Sequence, residues 1–435
     1  MTERREPPSD EPPSDEPPSR NRDFSTLLIS QSVSAAGDAV NVTALPLLVL
    51  ALTGSGLAMG IVGAITTGAD FVMSSVAGAM ADRGDRKRMM FLSDVGRALL
   101  TALIPLSVLV HGPTMIVLLL VTGPLAILRG FFRAGYLASM PNLVGRSQLA
   151  RGNAILETAY SASFMLGPAI AGFLVTIIGP GPTLAVDAAS FAIASLGLFF
   201  IRRDLVAPTD RPPSRIVDDI REGIVYVARH PVLRTVILMF AIASSMLIAV
   251  TAAMTFRIVR DLGQSPAAFG LTLSGFGVGT LVGSVIATRL GPGANVARVL
   301  VIALLVDGGG VVGIAAFGSM PMLIAMAGLS GAGEAALAVA YVSVRAANSP
   351  DELVGRIAST ARAMALGLMP IGSLIGGILI DSIGGTGTLV VLGASICVLA
   401  LGFSQVGTLR AASFAPTHLR PEPLLPTSDG LEPPG

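Results

Sequence analysis

From Phe24 to Gln405 the chain repeats one pattern, an apolar run of about 20 residues followed by a short break rich in polar residues, glycine or proline. A helix of that length crosses about 30 Å of hydrocarbon at 1.5 Å per residue. The runs predict spans over Phe24–Leu52, Gly56–Met80, Met89–Val110, Thr114–Ala134, Asn153–Ile178 and Thr183–Ile201. A second set follows at Val232–Phe256, Pro266–Thr288, Val296–Phe317, Met320–Val344, Leu353–Ser382 and Thr388–Gln405. The predicted fold is therefore an all-α integral membrane protein of twelve transmembrane helices in two six-helix bundles, residues 24–201 and 232–408. Between them, residues 202–231 form a charged linker in which RIVDDIREGIVYVARH reads as an amphipathic surface helix, too short in apolar length to span. Residues 1–23, with EPPSD, EPPSD and EPPSR in succession, cannot bury a core and predict a disordered proline-rich tail rather than a signal peptide. Residues 409–435 predict a second disordered tail.

Composition supports the spans and removes other readings. Hydrophobic residues make up 52% of the chain and charged residues 13%, against about 25% charged in an ordinary soluble domain. Fifty glycines and 29 prolines suit closely packed membrane helices, which tolerate both. With one cysteine, Cys397, and three scattered histidines, His111, His230 and His418, no disulfide, metal site or cofactor is expected. Neither GxxxxGK[ST] nor GxSxG occurs, so nothing supports ATP hydrolysis or serine hydrolase chemistry. The chain reads as a non-enzyme driven by an ion gradient, with the lipid bilayer as its partner, no nucleic acid, and a monomeric state.

Charge fixes a predicted orientation. Basic residues gather at alternate joints: Arg83, Arg86, Lys87 and Arg88; Arg146 and Arg151; Arg202 through Arg234; Arg289 and Arg298; Arg345 and Arg356. The remaining joints carry no Lys or Arg, except that Arg257 and Arg260 follow the seventh span. Basic loops stay in the cytoplasm during insertion, which places both termini inside.

Ionisable groups within the spans are costly unless they have a partner, a proton or water, so they mark candidate sites. Gln31, Ser34, Asp38 and Asn41 recur every three or four residues and predict a polar stripe on the first span. Gly63, Thr67, Asp70, Ser74 and Gly78 do the same on the second. Asp307 and Glu334 fall near the middle of the ninth and tenth spans, whereas Glu157, Asp187 and Arg362 lie nearer span ends. Asp38 is the first candidate for proton coupling and Asp70 the second; each could instead form a structural pair with Arg97, Arg129 or Arg133. Asp94 and Arg97, three apart, read as such a pair. Phe71, Phe164, Met165, Met246 and Phe276 are candidates for an apolar pocket, or else face lipid.

The loop GAMADRGDRKRMM, Gly78 to Met90, resembles the signature loop of the major facilitator superfamily, with Asp85 where a second glycine is usual. GDAVNVTALPLLVLALTGS, FLSDVGRALL, LVDGGGVV and PDELVGRIAS resemble bacterial drug-exporter branches of that superfamily, of the macrolide-efflux and siderophore-exporter types. PNLVGRSQLARGNA before the fifth span and SPDELVGRIASTARA before the eleventh echo one another, as do GPAIAGFL and MPIGSLIGGIL. Such repetition is a transporter signature. The resemblance implies a gating loop of Gly78, Asp82, Arg83, Arg86 and Lys87, with Asp82 holding the bundles together in one state. It implies a fifth-span motif of Gly167, Pro168 and Gly172, associated with proton-coupled export. Arg129 and Arg133 resemble the buried fourth-span arginine, or mark the cytoplasmic end of that span. The implied function is export of a small hydrophobic or amphipathic compound across a bacterial cytoplasmic membrane by proton antiport with alternating access. An uptake symporter of the same fold, or a non-transporting sensor or scaffold, are the alternatives.

Overall fold

A computed structural model describes residues 18, 21–81, 84–112, 114–145, 147–203, 205, 216–289, 295–350 and 352–407. Both predicted tails, apart from residues 18 and 21–23, fall outside the described residues, as do Asp82, Arg83 and Arg146. The helices are α1 Arg22–Thr53, α2 Gly56–Ala81, α3 Arg86–Leu109, α4 Thr114–Val144, α5 Leu149–Ile178 and α6 Pro180–Phe200. The linker helix α7, Ile216–Arg229, precedes α8 Pro231–Phe256 and a π-helical turn, Arg257–Asp261. The series ends with α9 Pro266–Thr288, α10 Val296–Ala316, α11 Met320–Ala347 and α12 Val354–Ser404.

Eleven of these elements are long and apolar enough to cross a membrane. The twelfth span comes from α12, whose 51 residues would measure about 77 Å if straight, more than twice the hydrocarbon thickness. At Gly384 the backbone turns to φ 74°, a conformation open to glycine, and the helix becomes two arms. Asp261 accepts hydrogen bonds from the Thr386 amide (2.9 Å) and hydroxyl (2.8 Å), so the second arm starts with a cap from the turn after α8. The twelve predicted spans are present, and the fourth extends past Ala134 to Val144.

Within each bundle glycine brings helices together closely enough to exclude side chains. In the first, a Cβ at Gly37 would lie 1.9 Å from Ser190 Oγ and one at Gly197 would lie 1.8 Å from Ser30 Oγ, so α1 and α6 run in contact. In the second, Gly275, Gly279 and Gly283 form a stripe on α9 seated on α11 at Ile324, Gly328 and Ala332. The linker helix rests on the start of α12, with Gly223 against Arg356 and Thr360, Val227 buried, and Glu222 paired with Arg356.

Two crossings join the bundles, and they mirror each other. Gly60 of α2 meets Gly377 of α12, and Gly172 of α5 meets Gly270 of α9; at each crossing a Cβ on either glycine would lie 3.0 Å from the other's Cα. The echoing segments GPAIAGFL and MPIGSLIGGIL thus supply Gly172 and Gly377, equivalent positions in the two halves. Ser373 donates to the Gly60 carbonyl (3.0 Å), Ser274 Oγ accepts from Ala169 N (3.0 Å), and Thr176 Oγ1 accepts from Ala267 N (3.1 Å).

All of these contacts lie toward the end where basic joints are scarce. Along α2, a Cβ at Gly56 or Gly63 would meet the second bundle within 2.3 Å, one at Gly68 only at 3.8 Å, and one at Gly78 nothing within 4 Å. On α12, Gly355 likewise has open space. On α5, Ala154, Glu157, Thr158 and Ser161 share the helical face of Pro168 and Gly172 yet are exposed. The bundles form a wedge, closed at one end and parted at the basic end.

Filling a crossing should force that wedge. Gly172→Val is expected to destabilise the purified protein by about 1–3 kcal/mol, through overpacking against the Pro266 carbonyl. Gly78→Ala should leave the thermal unfolding midpoint unchanged or slightly raised, and equal loss in both variants would contradict the wedge.

Candidate functional site

The polar stripe on α1 faces α3 and α6, where it meets a guanidinium. Arg97 of α3, 3% exposed, donates to Asp38 Oδ1 (2.7 Å) and to Asp94 Oδ1 (3.3 Å), one turn back on its own helix. Its guanidinium lies 3.7 Å from the centre of the Phe191 ring. Asn41 donates to Asp187 Oδ2 (2.7 Å), and Asp187 and Asp94 are fully buried. Two carboxylates therefore bind one guanidinium and a third, Asp187, lies within its electrostatic reach; among the described residues Asp94 Oδ2 and Asp187 Oδ1 find no hydrogen-bond partner. Only Asp38 reaches outward, with a quarter of its side chain (25%) accessible. Gln31, one turn or more away, is half-buried with Nε2 unpartnered.

Sequence ranked Asp38 first here, and its pairing with Arg97 was among the options left open. Asp187, read as lying near a span end, sits in the centre of the cluster. Helix geometry explains the difference: α6 begins at Pro180, and Gly37 lets α1 press onto α6 at Asp187 and Ser190.

Asp70 lies on the cleft face of α2, within electrostatic reach of Arg129 and Arg133 of α4 and Arg362 of α12. Arg129 also acts on Asp38 and Asp187, and its Nε has no hydrogen-bond partner among the described residues. Tyr160 and Phe164 of α5 pack with ring centres 4.7 Å apart and planes tilted by 33° beside these groups, with Phe71 against Gly367. Glu157 is exposed on α5, apart from the Arg97 cluster. Met165 backs the crossing at Gly277, while Met246 and Phe276 pack on the second bundle's core.

Asp307 and Glu334 lie elsewhere, inside the second bundle. They share a void of about 10 Å³, measured as room for water centres and enough for about one water, with no basic side chain in its wall. Ser330 donates to Asp307 (2.6 Å).

The described part of the basic loop works within the first bundle. Arg86 donates to the carbonyls of Ala81 (3.0 Å) and Ala138 (2.8 Å), and Lys87 to that of Ile201 (2.5 Å), all at or near helix C-terminal ends. Asp85, out of place by resemblance, caps α3 by accepting from Arg88 N (3.0 Å). Gly167 packs on Ala39 of α1, and Pro168 presents its carbonyl to Gly270.

A latch at the closed end escaped sequence reading. Asp381 of α12 accepts from Ser55 Oγ (2.7 Å), Gly56 N (2.5 Å) and Leu57 N (3.0 Å), capping α2 from the opposite bundle. Arg260 donates to the Gly54 carbonyl (2.6 Å) at the C-terminus of α1. The only signal was that Arg260, with Arg257, breaks the rule that joints on that side carry no Lys or Arg.

The sequence pattern that defines the transmembrane secretion effector family matches residues 14–428. This chain belongs to that family of the major facilitator superfamily. It is 26% identical over 388 residues to the multidrug efflux pump Tap of Mycolicibacterium fortuitum, covering 87% of this chain and 94% of the relative. It is 24% identical over 394 residues to the enterobactin exporter EntS of Escherichia coli, covering 89% and 90%. Among solved structures, a point variant of the nucleoside transporter NupG superposes with a TM-score of 0.74 at 13% identity, over 88% of this chain and 99% of that one. An inward-facing bacterial homologue of the lysosomal transporter Spinster gives 0.67 at 15% identity, over 88% and 96%. The likeness to these structures is one of fold, and the chain is a multi-pass membrane transporter, not an enzyme.

In this transporter Arg97 should matter more to folding than any one acid around it, because removing one partner of a buried pair strands the others. Arg97→Met is expected to cost about 3–5 kcal/mol, read as lost thermal stability in detergent. Asp38→Asn should cost clearly less, since the amide oxygen still accepts from Arg97 and Asp94 remains. Equal losses would show that Asp38 is structural alone.

Proposed function

We propose that this chain exports a small hydrophobic or amphipathic compound from the bacterial cytoplasm by proton antiport with alternating access. The observation that carries the reading is Asp38. It is a quarter accessible while bound to Arg97, and behind it Asp94 and Asp187 hold carboxylate oxygens with no hydrogen-bond donor among the described residues. Asp38, Asp94 and Asp187 outnumber Arg97 and Arg129, which leaves negative charge that a proton neutralises, and the same Asp38 can exchange that proton with water in the cleft. By the positive-inside bias the parted, basic end faces the cytoplasm with both termini, so the wedge is the state that loads substrate from inside. Closing that end while opening the Gly60–Gly377 and Gly172–Gly270 end presents the cleft to the outside. Export rather than uptake is supported by the relatives, which are named as a multidrug efflux pump and an enterobactin exporter. The fifth-span motif lies at the crossing that has to rock, where Gly167, Pro168 and Gly172 touch both α1 and α9. The bundles 24–201 and 232–408 would move as the rocking units, with the linker helix riding on the second.

Everted membrane vesicles given an imposed pH gradient and a panel of anionic, neutral and cationic dyes test this. The parent should accumulate at least one dye only while the gradient stands. Asp38→Asn should lower that uptake by about tenfold or more, in the range lost when one proton-transfer group is removed, and Asp70→Asn should do so less. If both variants retain full gradient-driven uptake, the coupling assignment fails; if a sodium gradient alone drives the parent, proton antiport fails.

A further inference from the structure

The charges that face the parted end differ from those of the Arg97 cluster. Arg133 of α4 and Arg362 of α12 belong to opposite bundles, are both exposed, and stand close enough for their like charges to act on each other. The carboxylate within reach of Arg362 is Asp70, which must also serve Arg129 and Arg133. None of the three arginines has a carboxylate oxygen within ion-pair distance among the described residues, and Arg129 keeps an unpartnered, buried Nε.

Helix faces set Arg362 and Asp70 toward the cleft. Arg362 lies on the face of α12 that carries Ser373 and Gly377 at the crossing, and Asp70 on the face of α2 that carries Gly60 and Gly63. The ring of Phe71 touches Gly367 (3.4 Å from an added Cβ), and Met73 approaches Gly130 next to Arg129 (3.1 Å). These contacts set Asp70 and Arg129 near one level, and Arg133 and Arg362 together about one turn further toward the basic end. Beside them Tyr160 and Phe71 are 48% and 41% exposed, an aromatic wall next to a cationic one.

Two exposed guanidiniums on opposite bundles, with no carboxylate oxygen in ion-pair distance among the described residues, form a site that an anion completes. We infer that Arg133 and Arg362 form a two-bundle clamp for an acidic group, and that the compound exported carries a carboxylate or another oxyanion on an aromatic or otherwise apolar body. A guanidinium binds such oxyanions through paired, charge-assisted hydrogen bonds. Arg129 and Tyr160 line the same pocket, and Asp70 holds the arginines in place when it is empty. An anion bridging the clamp replaces repulsion by attraction between the bundles, so loading itself favours closing the cytoplasmic end. This inference rests on the export reading and adds the charge of the substrate.

The test uses one fluorophore in three charge states: dansylglycine (anion), dansylamide (neutral) and dansylcadaverine (cation). Binding to the full-length protein is followed by fluorescence in micelles and in phosphatidylcholine nanodiscs. Dansylglycine should bind about tenfold more tightly than dansylamide, the ratio that 1.4 kcal/mol represents. Arg133→Gln and Arg362→Gln should each weaken dansylglycine by about that factor and leave dansylamide within about twofold, while Arg362→Lys keeps most of the affinity. A preference for dansylcadaverine, no discrimination, no binding of any probe, or an unaffected Arg362→Gln would overturn the clamp. If adding phosphatidylglycerol to the discs abolishes dansylglycine binding in the parent, the arginines hold a lipid headgroup and the inference fails. Export in everted vesicles is scored separately. Export without anion preference overturns this inference alone, and anion binding without any export overturns the export reading.

Discussion

Everything in this molecule depends on how closely its two bundles approach at one end. At Gly60–Gly377 and Gly172–Gly270 two backbones pass with no side chain between them, a separation that any Cβ would prevent. In lipid the attraction between helices comes from such packing rather than from hydrophobic burial, so the crossings act both as adhesive and as pivot. Their position forces the wedge: with the bundles in contact there, α2, α5, α9 and α12 diverge toward the basic end, and the groups on their inner faces meet water instead of protein. The accessibility of Asp38, Asp70, Arg133 and Arg362 follows from that geometry.

The inner charges divide into two kinds for the same reason. Near the bundle interior Arg97 is enclosed by α1, α3 and α6 and must be balanced within van der Waals reach, which explains two carboxylates and an aromatic face around it. Farther along the cleft, Arg133 and Arg362 stand in water-accessible space and can remain unpaired. A proton suits the first environment and a larger ion the second. The fold places the two environments on the same inner surface.

Sequence revealed the spans, the loop polarity and the stripe on α1, because each is a local pattern of period 3.6 or of span length. The resemblance singled out Gly172 and the repeat set GPAIAGFL beside MPIGSLIGGIL, without showing that Gly172 and Gly377 meet Gly270 and Gly60. Asp187 was undervalued because depth in a bundle depends on where a neighbouring helix begins, and the close α1–α6 contact at Gly37 is a tertiary fact. Arg362 was likewise undervalued, since its proximity to Arg133 joins residues from different halves of the chain. The break at Gly384 was visible as a polar gap between two apolar runs, but the partnership of Asp381 with Ser55, Gly56 and Leu57 was not. It joins positions more than three hundred residues apart, a separation of 325 for Gly56.

That partnership sets the scale on which the transporter can switch. Asp381 answers amides at the start of α2 and Arg260 answers a carbonyl at the end of α1, so each charge from the second bundle meets the favourable pole of a helix in the first. Hydrogen bonds to charged groups contribute about 1.5–3 kcal/mol each when both partners are otherwise dry. At an exposed helix end water takes over most of that role once the contact breaks, and the net value of the latch falls to the lower part of the range. A two-state device needs such a value. A contact worth many times the thermal energy would lock the wedge, whereas one worth a few kcal/mol can be outweighed by a bound anion or a transferred proton. The closed end is therefore held by interactions strong enough to define a state and weak enough for a few kcal/mol to undo.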